Sequence, residues 1–270
     1  MPESVYKYKD FLKEKLIDKF HLSLDKNDAD RLSVIKREKI KKPVITVSIT
    51  TPSVISGAND LFRNINDYIE DREIDADLVS VGSLGLINLE PVVSVQLPGK
   101  TKLFFKNVSS ENIISILDGT FNNYIQDENI LGQQRHNIFE NWEYTLFLDE
   151  LAYFKNQQRL ILNNCGYINP ESIEEYLAHG GYKSFLKTIR EHTPEEVCNI
   201  VVESKLRGRG GDGYPTGKKW QITLNTSSEQ KYLICNAGES DPGAFMERLL
   251  IESDPHKVIE GIAIASYAIS

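Results

Sequence analysis

The sequence has few cysteines and no long apolar run, and each shortage excludes a class of protein. Its 270 residues include only three cysteines, Cys165, Cys198 and Cys235. Their odd number and wide spacing are typical of reduced thiols rather than of a disulfide framework. No apolar run approaches the roughly 18 residues that a membrane-spanning helix needs. The start, MPESVYKYKDFLKEK, has no apolar signal-peptide core, so we expect a cytoplasmic protein without direct membrane insertion.

An excess of positive charge is also absent. The chain has 31 Lys and Arg against 39 Asp and Glu, a net charge of −8. Residues 1–42 carry 12 basic and 8 acidic residues, so this lead has a net charge of +4 and the remainder −12. The acidic body argues against nucleic acid as a partner. The basic lead either docks on an acidic partner or is a solvated helix.

Side chains for metal or nucleophilic chemistry are sparse as well. The five histidines show no metal-ligand spacing, and no Ser/His/Asp arrangement is visible. We therefore predict no metal site. The three cysteines are interpreted as small buried apolar side chains. His256, which follows Asp254-Pro255, is interpreted as a residue of a helix start.

Hydrophobic periodicity and turn signals predict an α/β protein of several parts. A basic helical lead covers 1–43, with helices over 5–20 and 27–40; a linker covers 127–158, and a further domain covers 159–270. Between lead and linker, residues 44–126 follow the order β-α-β-β-β-α of a small α/β sandwich. Its predicted strands are 44–50, 76–82, 91–98 and 101–108, and its predicted helices are 57–71 and 109–119.

Capping signals predict three helices in the last domain. Asn169-Pro170 opens the first, and Thr193-Pro194-Glu195-Glu196 forms a capping box with proline in the first turn. Asp254-Pro255 opens the third, an apolar helix with Val258, Ile262 and Ala265 able to face a sheet.

Residues 204–221, SKLRGRGGDGYPTGKKWQ, form a glycine-rich basic loop. Glycine lets a ligand approach backbone amides closely, and Arg207, Arg209, Lys218 and Lys219 supply positive charge. A phosphate or a nucleotide is the natural guest. The loop matches neither of the common phosphate-binding glycine patterns, so a solvated turn remains the alternative.

Residues 231–250, KYLICNAGESDPGAFMERLL, form a second candidate segment. KYLICN is predicted to be a strand that leads into a loop with Asn236, Glu239, Ser240 and Asp241. Ligand-binding groups in open α/β sheets follow strand ends in this way. A capped turn is the alternative.

Three collinear segments, LRGRGGDGYPTGKKW, CNAGESDPGAF and DPHKVIEG, resemble the NADH-binding flavoprotein subunit of respiratory complex I and of NAD-linked, electron-bifurcating hydrogenases, known as the 51 kDa family. The resemblance covers about residues 150–270. It implies a thioredoxin-like amino-terminal domain followed by the first part of an α/β FMN-binding domain. It also implies an oxidoreductase that transfers a hydride from NADH to FMN and electrons onward to iron–sulfur clusters.

Roles follow from the resemblance residue by residue. Gly208, Arg209, Gly210 and Gly211 would line the flavin and its phosphate, and Lys219 would add a charged contact to FMN. Asn236 and Glu239, with Ser240 in the same loop, would bond the ribityl chain or ring edge. Tyr214 would stack on the nicotinamide dinucleotide, and Asp241 would approach NADH.

The chain departs from the family pattern at three other positions in these segments. Asp212 stands where the family usually has alanine, Gly238 replaces an aspartate that contacts FMN, and Ile222 replaces a second stacking aromatic. Each departure implies weaker or altered binding of FMN or NAD.

The amino-terminal domain departs further. In the family, the thioredoxin-like domain holds a [2Fe–2S] cluster through four cysteines. The equivalent positions here are Ser48, Ser53, Ser83 and Ile87, which we call the ligand-equivalent positions. Because a cluster needs thiolates, we expect a degenerate domain without a [2Fe–2S] cluster.

The family continues beyond the point that matches Ser270, with a second flavin segment and a [4Fe–4S] domain. We therefore expect this chain alone to be a truncated, inactive part of the enzyme. Expected partners are NADH and other subunits of a complex I-like or hydrogenase complex, including a [2Fe–2S] thioredoxin-like subunit. The alternatives are a non-catalytic assembly module with decayed redox sites and a generic phosphate binder.

Overall fold

The computed structural model describes residues 8–20, 23–125 and 128–270, which form two compact units. The first unit combines the residues up to Ala29 with Ile173–Gly243 and Pro255–Ser270. The second combines Asp30–Ser172 with Ala244–Asp254. Residues 5–7 of the predicted first helix lie outside the described residues.

The helices and strands have the following bounds. The helices are α1 (Lys9–Leu12, continued by a π-helix over Lys13–Asp18), α2 (Lys26–Ile35), α3 (Thr51–Ile55), α4 (Ala58–Asp71), α5 (Ile113–Phe121), α6 (Ile173–Ala178), α7 (Lys183–Glu191), α8 (Pro194–Glu203), α9 (Thr216–Asn225), α10 (Met246–Ser253) and α11 (Pro255–Ile269). The strands are β1 (Val44–Ser48), β2 (Asp77–Val81), β3 (Val93–Gln96), β4 (Leu103–Phe105) and β5 (Ile130–Gln133).

The second unit contains a five-stranded mixed sheet of order β2-β1-β3-β4-β5. Strands β1 and β2 are parallel and joined through α4, whereas β1/β3, β3/β4 and β4/β5 are antiparallel. Apart from the short helix α3, which was not predicted, the order β-α-β-β-β-α is the one predicted from the sequence. The α/β fold class is thereby confirmed.

The core of this sheet explains why its strands were readable in the sequence. All five residues of β1 are buried, and Ile45, Val47, Val93 and Val95 pack against Leu61 and Ile65 of α4 in one apolar cluster. The β-branched residues of β1 and β3 favour extended backbone, and the spacing of Leu61 and Ile65 places both on one face of α4.

The stretch expected to be a linker contributes to this unit. It supplies β5 and the buried side chain of Trp142. The buried Gln133 side chain accepts hydrogen bonds from the Thr101 hydroxyl (2.7 Å) and the Trp142 amide (2.8 Å). The strand was missed because it has only two apolar residues, Ile130 and Leu131, and ends in the polar Gln133, whose partners only the tertiary structure supplies.

The described residues of the first unit form helices and no strand. Helix α11 packs against α7, α8 and α9, so the expectation that it faces a sheet is wrong. The capping box of α8 is confirmed, with Thr193 and Glu196 bonded reciprocally.

Two predicted helix ends were also wrong. Helix α2 ends at Ile35 rather than near residue 40, because Arg37 adopts a left-handed backbone (φ 58°). Helix α5 continues through Gly119 to Phe121. Among the described residues, no helix is long and apolar enough to cross a membrane.

Candidate functional site

The glycine loop is a closed turn between α8 and α9. The Gly208 amide donates to the Tyr214 carbonyl and the Thr216 amide donates to the Leu206 carbonyl, both at 2.9 Å. Inside the turn, the Arg207 guanidinium donates to the Gly213 carbonyl. The Asp212 carboxylate, an unusual residue here by comparison with the family pattern, accepts from the Tyr214 amide (3.1 Å). These bonds fix the two sides of the turn and leave its tip to solvent.

Glycine occupies the different positions of this loop for different physical reasons. Gly217 lies where α9 crosses α8, and a Cβ there would approach the Val202 amide nitrogen to 2.4 Å. Gly211 and Gly213 have positive φ angles of 117° and 62°, which glycine adopts readily. Gly210 has neither reason, because its φ is ordinary and a Cβ would meet nothing within 4 Å. The fold itself therefore does not require glycine at 210.

Positive charge surrounds this exposed backbone. Residues 204–221 contain five basic residues and one acidic residue, a net charge of +4 in a chain of net charge −8. Arg209, Lys218 and Lys219 are exposed, and their side chains have no hydrogen bond or ion pair within the described part of the chain. Helix α9 begins within this stretch, at Thr216, without a side-chain cap at its amino terminus. The dipole of this helix adds to the attraction for an anion.

The second predicted segment differs from the expectation. Residues 231–240 have no regular secondary structure, so the predicted strand KYLICN is wrong. The segment starts at Lys231, whose ammonium group donates to the carbonyls of Leu224 (2.9 Å) and Ile269 (3.0 Å). Extended apolar residues form a strand only when a neighbouring strand pairs with their backbone, and the described residues of this unit provide none.

This missing pairing also corrects the interpretation of the cysteines. Cys165 and Cys198 are buried as predicted, but Cys235 is exposed. Burial raises the pKa of the Cys198 thiol, and the Glu195 carboxylate raises that pKa further.

The carboxylates and amide of the second segment lie at the surface of the unit. Three of these side chains are exposed: Asn236, Ser240 and Asp241. The Glu239 side chain is partly buried. The Asn236 side chain accepts from the Gly238 amide (3.1 Å), and the Asp241 carboxylate accepts from the Gly243 amide (3.2 Å). These local bonds shape two turns and leave lone pairs of both side chains directed away from the chain.

The motif DPHKVIEG has a structural role. The Glu260 carboxylate accepts hydrogen bonds from the Tyr176 hydroxyl (2.5 Å), the Tyr182 amide (2.8 Å) and the Phe185 amide (3.2 Å). His256 Nδ1 lies 3.0 Å from the Tyr182 hydroxyl. These contacts join α11 to the start of α7, so the two motif residues hold the helices that support the loop.

Three of the four ligand-equivalent positions, the serines, come together in the second unit. The buried Glu90 carboxylate accepts from the hydroxyls of Ser48 and Ser83 and from the Val92 amide (2.8 Å). Ser53 donates to Ser48 at 3.2 Å. All three serines are almost completely buried. We call Ser48, Ser53, Ser83 and Glu90 the serine–glutamate network.

The two regions give opposite answers when tested against the cofactors of the family. The loop offers open glycine backbone, three cations without partners among the described residues and an uncapped helix start, which fit the phosphate and flat ring of FMN. The network offers hydroxyls and a carboxylate that already satisfy one another, which do not fit an iron–sulfur cluster held by thiolates. In the described ranges of the chain, no group of three or more His, Cys, Asp or Glu is placed to hold a metal ion.

The part of the chain that contains the glycine loop is similar to known proteins. Residues 201–270 match the Nuo51 FMN-binding domain. The chain is 51% identical over 115 residues to the NADP-reducing hydrogenase subunit HndC of Solidesulfovibrio fructosivorans, covering 43% of this chain and 23% of that protein. It is 53% identical over 76 residues to the alpha subunit of the NAD-reducing hydrogenase HoxS of Cupriavidus necator, covering 28% and 13%. The matched part of the chain thus spans less than a quarter of the length of these relatives.

Solved structures give broader but weaker similarity. The NAD⁺-reducing [NiFe]-hydrogenase in its H₂-reduced state covers 96% of this chain and 41% of its own, with 17% identity and a TM-score of 0.34. A thioredoxin-like [2Fe–2S] ferredoxin from Aquifex aeolicus covers 36% of this chain and 96% of its own, with 12% identity and a TM-score of 0.31.

Proposed function

Because residues 201–270 match the Nuo51 FMN-binding domain, we propose that the chain is part of an NADH-oxidising flavoprotein of the 51 kDa family. The observation that carries this proposal is the open tip of the glycine loop at Gly210. The fold needs no glycine there, and three nearby cations have no partner in the described part of the chain. A ligand that lies against the backbone explains both features.

Each site residue then has a stated task. The backbone of Gly208–Gly211 lies against the flavin, while Arg209 and Lys219 neutralise its phosphate together with the start of α9. Asn236, Glu239 and Ser240 bond the ribityl chain or ring edge. Bound FMN would supply the capacity to take a hydride from NADH and to release the two electrons singly.

The nicotinamide dinucleotide is held by different side chains. Tyr214 is half-exposed, and its backbone amide is fixed by Asp212, so its ring is free to stack on the dinucleotide. Asp241, in a turn of the second segment, would accept hydrogen bonds from NADH. Because the bound cofactors would supply the hydride chemistry, the side chains named here would bind and orient them, and none would have to donate a proton.

The experiment is a pair of matched glycine substitutions. Gly210→Val should abolish FMN retention by the protein purified in the complex that it forms, because the side chain occupies the place of the ring. Gly261→Val is the control, since Gly261 also has ordinary φ and open space around its Cβ position. Both variants should fold normally by circular dichroism. Normal FMN content in Gly210→Val would refute the proposed contact.

A second candidate function, a non-catalytic assembly module, is favoured by one observation. The serine–glutamate network leaves the thioredoxin-like domain without ligands for a cluster, so this domain would contribute contacts rather than electrons. We propose that onward electrons go to clusters outside this chain, in partner subunits of a complex I-like or hydrogenase complex.

Iron reconstitution separates the two contributions. Purified protein treated with iron and sulfide should show no [2Fe–2S] absorption or electron paramagnetic resonance signal from this domain. If the protein binds neither a cluster nor FMN, the assembly module is favoured over the flavoprotein. A stoichiometric cluster signal would contradict the interpretation of the network.

A further inference from the structure

Helix α10 covers two of the ligand-equivalent positions of the thioredoxin-like domain, Ser83 and Ile87. Although α10 follows the second flavin segment in sequence, it belongs to the compact unit of the sheet. Leu249 and Glu252 of α10 face Ser83 and Ile87 across a cavity of only about 10 Å³. That volume admits at most one water molecule, so the helix fills this face closely.

Two polar contacts hold the helix in place. The Glu252 carboxylate accepts from the Thr51 amide (2.8 Å) and from the Thr51 hydroxyl (2.5 Å) at the start of α3. The Ser253 hydroxyl accepts from the Ser83 amide at 3.0 Å. Ser253 and Ser83 are both buried, so the Ser83 amide would lose its hydrogen-bond partner if the helix left.

The backbone of the domain is shaped for this contact. A Cβ at Gly82 would lie 2.3 Å from the Ser253 Cβ and 2.5 Å from its Cα. Gly82 has no positive φ that would itself require glycine. The close approach of Ser253 is thus the physical reason for glycine at 82.

We propose that this face is a docking surface for the chain's own helix α10, with Glu252 and Ser253 as its positioning residues. In this arrangement the thioredoxin-like domain fixes the end of the segment that runs from Asn236 to Phe245. The docked helix also closes the face to any redox partner that would approach the ligand-equivalent positions. Only the purpose of the docking, which is to order the proposed flavin segment, depends on the proposed function.

Hydrogen–deuterium exchange of the peptide over residues 244–254 tests the docking without any cofactor. In the full chain, Gly82→Val and the double variant Glu252→Gln/Ser253→Ala should each speed exchange of the α10 amides by about tenfold or more, because an undocked short helix opens readily. Glu247→Gln is the control, since the Glu247 side chain has no described hydrogen bond or ion pair.

Exchange of the β1 and β3 amides reports whether the domain itself stays folded. If Gly82→Val also exposes these strands, the double variant decides, because its changes lie on α10. Unchanged α10 exchange in the double variant would overturn the docking. Faster α10 exchange with unchanged FMN content would uphold the docking and refute its purpose, whereas loss of FMN in all variants including the control would count against the proposed flavin site instead.

Discussion

The glycine loop and the serine–glutamate network differ in where their polar groups find partners. In the network, the Glu90 carboxylate accepts from two serine hydroxyls and one backbone amide, and the whole group is buried. In the loop, Arg209, Lys218 and Lys219 extend into solvent with no partner among the described residues. Only the loop leaves groups that a ligand would satisfy.

The difference shows how the two sites are distinguished physically. A buried polar group without a partner costs about 1–3 kcal/mol, so the buried serines and the Glu90 carboxylate must find partners within the fold or the domain loses stability. An exposed cation has no such cost, because water solvates it. Buried polar groups that bond one another therefore mark the region that the fold needs. Exposed polar groups without a partner among the described residues mark the region that remains available for binding.

The largest effect is expected from removing the centre of the network. Glu90→Ala takes the shared acceptor from Ser48 and Ser83 and leaves a cavity, so the free energy of unfolding should fall by about 3 kcal/mol or more. Glu90→Gln keeps the shape and one acceptor oxygen, and a serine hydroxyl can turn to accept from its amide, so its loss should be about 1 kcal/mol. Urea unfolding measures both.

Glu111→Ala, at an exposed position, is the control and should change stability by less than about 0.5 kcal/mol. If Glu90→Ala were as mild as this control, the network would be as dispensable as a surface group, and the contrast with the loop would fail.

A smaller effect should separate the two kinds of glycine within the loop. Gly217→Ala forces α9 away from the Val202 backbone, so stability should fall by about 1–3 kcal/mol. Gly210→Ala meets nothing within 4 Å and should leave stability within about 0.5 kcal/mol of the parent. Thermal unfolding of the two variants side by side measures the difference. Equal losses would show that Gly210 also serves internal packing.

The sequence predicted the sheet of the second unit well because the evidence for it is local. The β-branched run of β1, the periodicity of α4 and the intervening turns each indicate their own structure without reference to the rest of the chain. The Thr193 capping box is read from four consecutive residues in the same way.

Features that depend on distant partners could not be predicted. KYLICN has the local pattern of β1, but it forms no strand because no other described strand pairs with it. The roles of Gly210 and Gly217 are indistinguishable in the sequence, since only the position of α8 separates them. The part that Glu90 plays was missed, because nothing local in the sequence links it to Ser48.

A carboxylate added at Gly238, in the second candidate segment, should give a bound ligand one more partner. Gly238 stands where the family pattern has an aspartate that contacts FMN. Its φ is ordinary, and a Cβ there would meet only the Asn236 side-chain oxygen at 3.2 Å, which can turn away. Gly238→Asp should thus fold normally and tighten FMN binding by about tenfold, or about 1.4 kcal/mol, because a charged acceptor forms a stronger hydrogen bond to a flavin hydroxyl.

Titration of flavin fluorescence in the complex that contains the chain measures this gain. Gly238→Asn has nearly the same shape without the charge and should recover only a fraction of it, which separates the hydrogen bond to a charged group from simple filling of space. Weaker FMN binding in Gly238→Asp than in the parent would mean that the added carboxylate faces the phosphate rather than the hydroxyls. In that case the second segment would lie on the anionic side of the flavin, and the tasks given to Asn236 and Glu239 would have to be reassigned.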